Sequence, residues 1–317
     1  MTPSSPLIVV PDDAPPVLGP SPALDRLRGC GEVRYFDSLP GTEDRLLERI
    51  AGAEIVINVR SSTRFPASVF ARCPGLRMLS IWGTGIDNID LAAAARHGVT
   101  VTNTPAVSAV SIAEHTLALM LAVARKIPAT DASVRAGEWR RGGYSQLHGK
   151  TLGIIGLGAI GRRFARLGEG IGMRVIAWTM HPNPALGFEL VELDTLLRTA
   201  DVVSLHLRLS DQTRGFLGAR ELALMKPGAI FVNTARGPIV DEAALLAALK
   251  EHRLGGAGLD VFDTEPLPPG HPVTQLDNVV LSPHSAGITP EALEAGLQLA
   301  VENVRLFLAG APQNVVT

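Results

Sequence analysis

Residues 151–161 read Thr151-Leu-Gly-Ile-Ile-Gly156-Leu-Gly158-Ala-Ile-Gly161. A short apolar run enters a turn spaced G-x-G-x-x-G, and an amphipathic stretch leaves it. In a strand–turn–helix unit each glycine has its own task. Gly156 permits the tight turn, Gly158 lets a pyrophosphate approach the backbone, and Gly161 lets helix and strand pack closely. The unpaired N–H groups at the helix start would face the phosphate charge. With strand before and helix after, the stretch reads as a dinucleotide-binding βα unit rather than a bare turn.

Outward from it, short apolar runs alternate with helical patterns, as parallel βα units do. Before it, strands are expected at Leu7–Val10, Val33–Phe36, Ile55–Val59, Met78–Ile81 and Val99–Thr102, with helical stretches such as Glu43–Ile50 and Leu91–Arg96. A longer helix, 108–125, is apolar on most of its circumference and reads as buried. Pro128 is expected to stop it, and no strong period follows up to Gly149. The second series is expected at Leu152–Ile155, Arg174–Trp178, Val202–Leu205, Ile230–Asn233, Gly258–Asp260 and Val279–Leu281. A final helix, 290–309, has no strand after it and could return to the first series. The 317 residues exceed one ordinary core and suit two domains. The fold class expected is therefore α/β, with two doubly wound parallel-sheet domains.

Net charge is −2, which argues against a general nucleic-acid binder. The densest basic cluster, Arg135, Arg140 and Arg141, reads as a solvated arm. Cys30 and Cys73 have no metal-ligand spacing, so no metal is expected and a reducing, cytoplasmic setting fits best. Met1–Pro6 lacks the charged and apolar regions of a signal peptide. No run approaches the ~20 apolar residues of a membrane span.

A partial copy of the glycine pattern stands at Gly83-Thr84-Gly85-Ile86-Asp87-Asn88. Its sixth position is asparagine, so it is rejected as a second nucleotide fingerprint, although such a turn can bind a small anion through N–H groups. The true fingerprint also calls for an acid ~20 residues on, to grip the adenosine ribose. That strand end reads Ala177-Trp178-Thr179-Met180-His181, with no carboxylate. Thr179 would not repel a 2′-phosphate, yet no arginine stands nearby to clamp one. NAD and NADP both stay open.

Ligands of doubly wound sheets bind at strand carboxyl ends. Three polar residues stand there: Arg236 after Ile230–Asn233, Glu265 in the loop after Gly258–Asp260, and His284 after Val279–Leu281. They suit a 2-oxo acid. The arginine fork matches a carboxylate, and the histidine can give a proton to a carbonyl oxygen. A carboxylate partner favours the protonated imidazole. Spacing alone does not choose Glu265 over Asp260 and Asp263, and His206 at another strand end rivals His284. Asp90 and Asp241 read as helix N-caps.

The stretches G-L-G-A-I-G, N-T-A-R-G-P-I-V-D-E, L-D-V-F-D-T-E-P-L and S-P-H-S-A-G resemble the D-isomer-specific 2-hydroxyacid dehydrogenase family. The resemblance extends through N-V-R-S-S-T at 58–63, G-T-G-I-D-N-I-D at 83–90 and S-I-A-E-H at 111–115. It implies a substrate domain of residues 1–102 plus 289–317, an NAD(P)-binding domain of 103–288, and an active site in the cleft between them. It puts the catalytic arginine, glutamate and histidine on Arg236, Glu265 and His284. Thr84, Ala159, Ile160, Thr179, Leu207, Thr234, Ala235 and Asp260 would contact the cofactor. Arg60 and Ser61 would border the substrate, and the turn Gly83–Gly85 would hold its carboxylate. The segment 108–149 would be a dimerisation arm of a homodimer. Trp82 departs from the small residue common there, and is expected to narrow the pocket.

The implied activity is NAD(P)-dependent reduction of a small 2-oxo acid. Two other classes share the fold: a dinucleotide-sensing interaction protein of corepressor type, and a hydrolase with bound NAD. The intact Arg236, Glu265 and His284 favour the reductase. A serine hydrolase is unsupported, because no G-x-S-x-G elbow is present.

Overall fold

A computed structural model describes residues 5–139 and 141–317. Residues 1–4, part of the N-terminal stretch read above, and Arg140 of the basic cluster lie outside the described residues. The first nine elements are β1 (Leu7–Val10), α1 (Ala23–Arg28), β2 (Glu32–Tyr35), α2 (Glu43–Ile50), β3 (Ile55–Asn58), α3 (Ala67–Arg72), β4 (Met78–Ile81), α4 (Leu91–Arg96) and β5 (Thr100–Thr102). Next come α5 (Ala109–Arg125), α6 (Ile127–Arg135), β6 (Thr151–Ile155), α7 (Ala159–Gly170), β7 (Arg174–Trp178), β8 (Glu189–Leu190), α8 (Leu193–Thr199) and β9 (Val202–Leu205). The chain closes with α9 (Ala219–Leu224), β10 (Ile230–Asn233), α10 (Glu242–Lys250), β11 (Gly256–Leu259), β12 (Val279–Leu281) and α11 (Pro290–Leu308). Two compact units result: unit 1 runs to Ser108 and resumes at Ile288, and unit 2 is Ala109–Gly287.

Unit 1 is a parallel sheet in the order β2-β1-β3-β4-β5, the flavodoxin-like order. Successive side chains on a strand point to opposite faces, so the central strands β1, β3 and β4 feed two cores. Val9, Val56, Leu79 and Val101 join one, and Ile8, Val10, Ile55, Ile57 and Met78 the other. The last helix, α11, belongs to this unit: its Leu297, Val301 and Val304 complete the second core. Ser80 Oγ donates to the Ala300 carbonyl (3.0 Å), and Asn303 Nδ2 to the Asn103 carbonyl (2.9 Å). Asp90 accepts the Ala93 N–H (2.8 Å) as the N-cap of α4.

Unit 2 is a seven-stranded parallel sheet in the order β12-β11-β10-β9-β6-β7-β8. The chain runs from β6 outward to β8, then returns to the other side of β6 through β9. The carboxyl end of β6 is therefore the point where strand order reverses. Helix α5 lies on β11 because that strand offers glycines. A Cβ on Gly256 would stand 2.8 Å from Val123 Cγ1, and one on Gly258 would stand 2.8 Å from Leu119 Cβ.

Two differences from the sequence reading have simple causes. Pro128 is followed by a further helix, α6, and the segment without regular structure begins only after Arg135. Lys126 turns the chain in a left-handed conformation (φ 50°), and Pro128 sits in the first turn of α6, where its missing N–H costs nothing. Strand β8 was not expected; at two residues it is too short to carry a period. Among the described residues no helix is long and apolar enough to cross a membrane.

Candidate active site

The glycine finger of unit 2 has the geometry its spelling requires. Gly156 sits at φ 102°, and its N–H donates to the Trp178 carbonyl (2.8 Å). A Cβ on Gly161 would fall 2.0 Å from the Gly156 carbonyl oxygen, so only glycine lets α7 approach this closely. A Cβ on Gly158, by contrast, would meet nothing within 4 Å. No side chain caps the first turn of α7, which begins with the half-buried Ala159 and Ile160. Open backbone before uncapped helical N–H groups fits a pyrophosphate. Leu207 backs the turn at 8% exposure, and the buried Thr234 hydroxyl pairs with Thr116 Oγ1 (2.9 Å). Thr179 is half-buried at the end of β7, with Met180 and His181 exposed beyond it.

At the neighbouring strand ends of the same unit, the three polar residues come together. His284 Nδ1 lies 2.7 Å from Glu265 Oε2, while Glu265 Oε1 accepts the Phe262 N–H (3.0 Å). Burial opposes ionisation of Glu265. Hydrogen bonds from His284 and Phe262, and the charges of His284 and Arg236, outweigh it and hold the carboxyl below its ordinary value. An ionised carboxylate only accepts, so Nδ1 carries the proton of this bond. Arg236 follows β10, and its Nη1 donates to the Ala235 carbonyl (2.8 Å). The next residue, Gly237, explains how the arginine loop meets the glutamate loop: a Cβ there would stand 2.0 Å from the Phe262 carbonyl carbon. Asp263 is an exposed loop residue, whereas Glu265 holds the ring.

His284 itself adopts a left-handed backbone (φ 51°), which costs a residue with a Cβ about 1–2 kcal/mol. Asp260 holds it there. The Asp260 carbonyl accepts the His284 N–H (2.7 Å). Its carboxylate accepts Ser282 Oγ (2.6 Å) and the N–H groups of Ser285 and Ala286 (2.9 Å each). Asp260, expected as a cofactor contact, is 1% exposed and spends both oxygens on this turn. The rival His206 packs on Phe164, with Nε2 2.9 Å from Ser204 Oγ. Burial pushes its imidazole down to about 3, so it stays neutral at pH 7.

In unit 1, the turn Gly83–Gly85 follows β4. Gly83 sits at φ 126° and donates its N–H to Thr104 Oγ1 (2.7 Å), while Thr84 Oγ1 donates to the Thr104 carbonyl (3.3 Å). Gly83 therefore shapes the turn and has spent its N–H within it. The Arg60 guanidinium is tied to the Pro15 carbonyl, and Ser61 is exposed. Trp82 Nε1 donates to the Leu293 carbonyl (3.2 Å), and the indole fills the notch left by Gly296 on α11. The half-buried ring packs against the second core of unit 1. Sequence reading also missed Asp12, at the carboxyl end of β1. Its carboxylate accepts the N–H groups of Val59 (2.9 Å) and Arg60 (3.2 Å) and Asn58 Nδ2 (2.5 Å). Burial raises its pKa even against these bonds. The signal was the pair Asp12-Asp13 directly after a strand, which carries no spacing rule. Among the described residues no cluster of His, Cys, Asp or Glu could hold a metal ion.

The family profile described as D-isomer specific 2-hydroxyacid dehydrogenase, NAD binding domain, matches residues 117–286. Glyoxylate reductase of Aeropyrum pernix is 41% identical, over 93% of this chain and 92% of that enzyme. D-3-phosphoglycerate dehydrogenase of Methanocaldococcus jannaschii is 40% identical over 93% of this chain, which spans only 57% of that longer protein. An acyclic imino acid reductase solved with NADPH and D-Arg superposes with a TM-score of 0.91 at 31% identity, covering 98% of this chain and 100% of that one. The chain belongs to the D-isomer-specific 2-hydroxyacid dehydrogenase family, and unit 2 carries the family's nicotinamide-dinucleotide-binding domain.

Proposed function

We propose that the protein reduces a small 2-oxo acid to a D-2-hydroxy acid. The observation that carries this reading is the His284–Glu265 pair, 2.7 Å apart, beside the Arg236 loop. When bound, the reduced nicotinamide supplies the hydride for the carbonyl carbon. His284 supplies the proton for the carbonyl oxygen: Nδ1 is taken by Glu265, which leaves Nε2 to give it. Glu265 stabilises the imidazolium before transfer and keeps the ring oriented. Arg236 pairs with the substrate and offsets the alkoxide charge as it develops. The pyrophosphate is assigned to Gly156, Gly158, Ala159, Ile160 and Gly161. Thr179, Leu207, Thr234, Ala235 and Asp260 line or support the rest of the dinucleotide site of unit 2.

The substrate carboxylate is assigned to the N–H groups of Thr84 and Gly85, because Gly83 donates elsewhere. Arg60 and Ser61 border the substrate. Neutral Thr179 leaves NADP usable beside NAD, since no carboxylate stands at the end of β7 to repel a 2′-phosphate. A homodimer through the arm is supported by α6, which buries no residue and exposes Ile127 and Val134, with Trp139 at 72% exposure just beyond. Two free cysteines fit a cytoplasmic setting.

The test is NADH and NADPH oxidation with glyoxylate, hydroxypyruvate, pyruvate and bulkier 2-oxo acids, for the wild type and His284→Gln. Turnover in the variant should fall by roughly 10²–10⁴-fold with dinucleotide affinity nearly unchanged. Normal turnover in His284→Gln sinks the mechanism, and no oxidation with any 2-oxo acid sinks the activity.

A further inference from the structure

Helix α5 brings a second histidine to the turn that carries His284. His115 Nε2 lies 2.8 Å from Ser282 Oγ, and Ser282 lies two residues before His284. The direction of this bond follows from the hydroxyl's single proton. Ser282 Oγ sits 2.6 Å from Asp260 Oδ1, a carboxylate oxygen that accepts, so its proton goes there. The bond to His115 must then be donated by the imidazole, as an Nε2–H. The chain of donors runs His115 to Ser282 to Asp260, and Asp260 grips the N–H groups of Ser285 and Ala286 and, through its carbonyl, that of His284.

A left-handed, non-glycine backbone persists only where its surroundings over-determine it. Asp260 fixes the turn at His284 and after it, and Ser282 fixes its entry. Asp260 Oδ1 serves two donors, so the place of Ser282 Oγ between His115 and that oxygen decides how squarely the entry is held. His115 joins this assembly from outside β11, β12 and their loops. It reaches across 167 residues of sequence.

We infer that His115 is a positioning residue for proton transfer: through its Nε2–H bond to Ser282 it sets the backbone turn that aims His284. It does not exchange a proton with substrate. The inference rests on His284 being the proton donor proposed above.

The experiment uses His115→Phe, which keeps a ring and loses the donor, His115→Gln, which keeps an amide donor near the Nε2 position, and Ser282→Ala. Each is made in the full chain and assayed beside His284→Gln with the same 2-oxo acid. His115→Phe and Ser282→Ala should each lower kcat on the order of 10-fold to 100-fold, as a misplaced proton donor does. KM for the dinucleotide should stay within about 3-fold of wild type, because the glycine finger is untouched. His115→Gln should recover most of the lost kcat. The double variant His115→Phe/Ser282→Ala should be no slower than Ser282→Ala, since both act through one bond.

Wild-type kcat in His115→Phe or in Ser282→Ala overturns the inference, as does His115→Gln no faster than His115→Phe. If His115→Phe does not fold, Ser282→Ala and His115→Gln still decide. Normal turnover in His284→Gln would defeat the proposed function instead. An inactive His284→Gln beside fully active His115→Phe and Ser282→Ala would defeat this inference alone.

Discussion

The turns Gly83–Asn88 and Gly156–Gly161 share G-x-G after a parallel strand and part at the sixth position. In unit 2 that position is Gly161, and its missing side chain lets α7 settle on the Gly156 carbonyl. In unit 1 it is Asn88, whose Nδ2 donates to Asn58 Oδ1 (3.1 Å) and to the Thr63 carbonyl (2.7 Å). One sixth residue acts by leaving space, the other by filling it with donors. The first glycines also differ in use. Gly156 donates to a neighbouring strand end, while Gly83 donates to the Thr104 side chain. Similar spelling thus serves an open, uncapped helix start in one unit, and a tied loop in the other. The sixth residue separates them.

The hardest way to break this comparison is to give the finger a side chain. Gly161→Val should force α7 off β6, costing roughly 1–3 kcal/mol or more in overpacking. Dinucleotide affinity in a fluorescence titration should fall at least ~10-fold. Unchanged affinity would mean that close packing at this position is not what builds the site. Next, Asn88→Gly completes the G-x-G-x-x-G spelling in unit 1. It should create no second dinucleotide site by calorimetric stoichiometry, and should cost roughly 1–3 kcal/mol of stability from lost bonds and added backbone freedom. A second equivalent bound per chain would overturn the distinction. The smallest effect is expected from Thr104→Val, which keeps shape and removes the acceptor for the Gly83 N–H. Stability should drop by about 1 kcal/mol. KM for the 2-oxo acid should rise severalfold while dinucleotide affinity holds; an equal change in both would show that the turn does not act on substrate alone.

What could be read ahead of the structure follows from the range of each signal. Strands such as β4 and β9, buried at all four residues, appear as apolar runs broken only by a single serine, Ser80 or Ser204. That Arg236, Glu265 and His284 stand at neighbouring strand ends was legible from the strand pattern alone, while the choice of Glu265 over Asp260 and Asp263 came only from the family resemblance. Direction was not legible. Nothing in Ile81-Trp82-Gly83 says that the indole turns toward Gly296, and nothing at Asp260 says that its two oxygens serve the turn 22–26 residues ahead. The His115–Ser282 bond joins elements 167 residues apart and leaves no periodic trace. Pro128 misled because one residue suits both a helix stop and a helix start, and the left-handed Lys126 that decides between them has no spelling of its own.

The place of α11 bears on how the chain is made. Unit 2 is one unbroken stretch, Ala109–Gly287, whereas unit 1 is missing a helix and one face of its core until Ile288–Thr317 arrive. During synthesis from the N-terminus, the second unit can finish folding first. The opening strands β1–β5 wait with Ile8, Val10, Ile55 and Ile57 partly uncovered until α11 has been made. Of these two units, the one begun first is therefore completed second, and in the interval its half-covered core needs shielding from other chains.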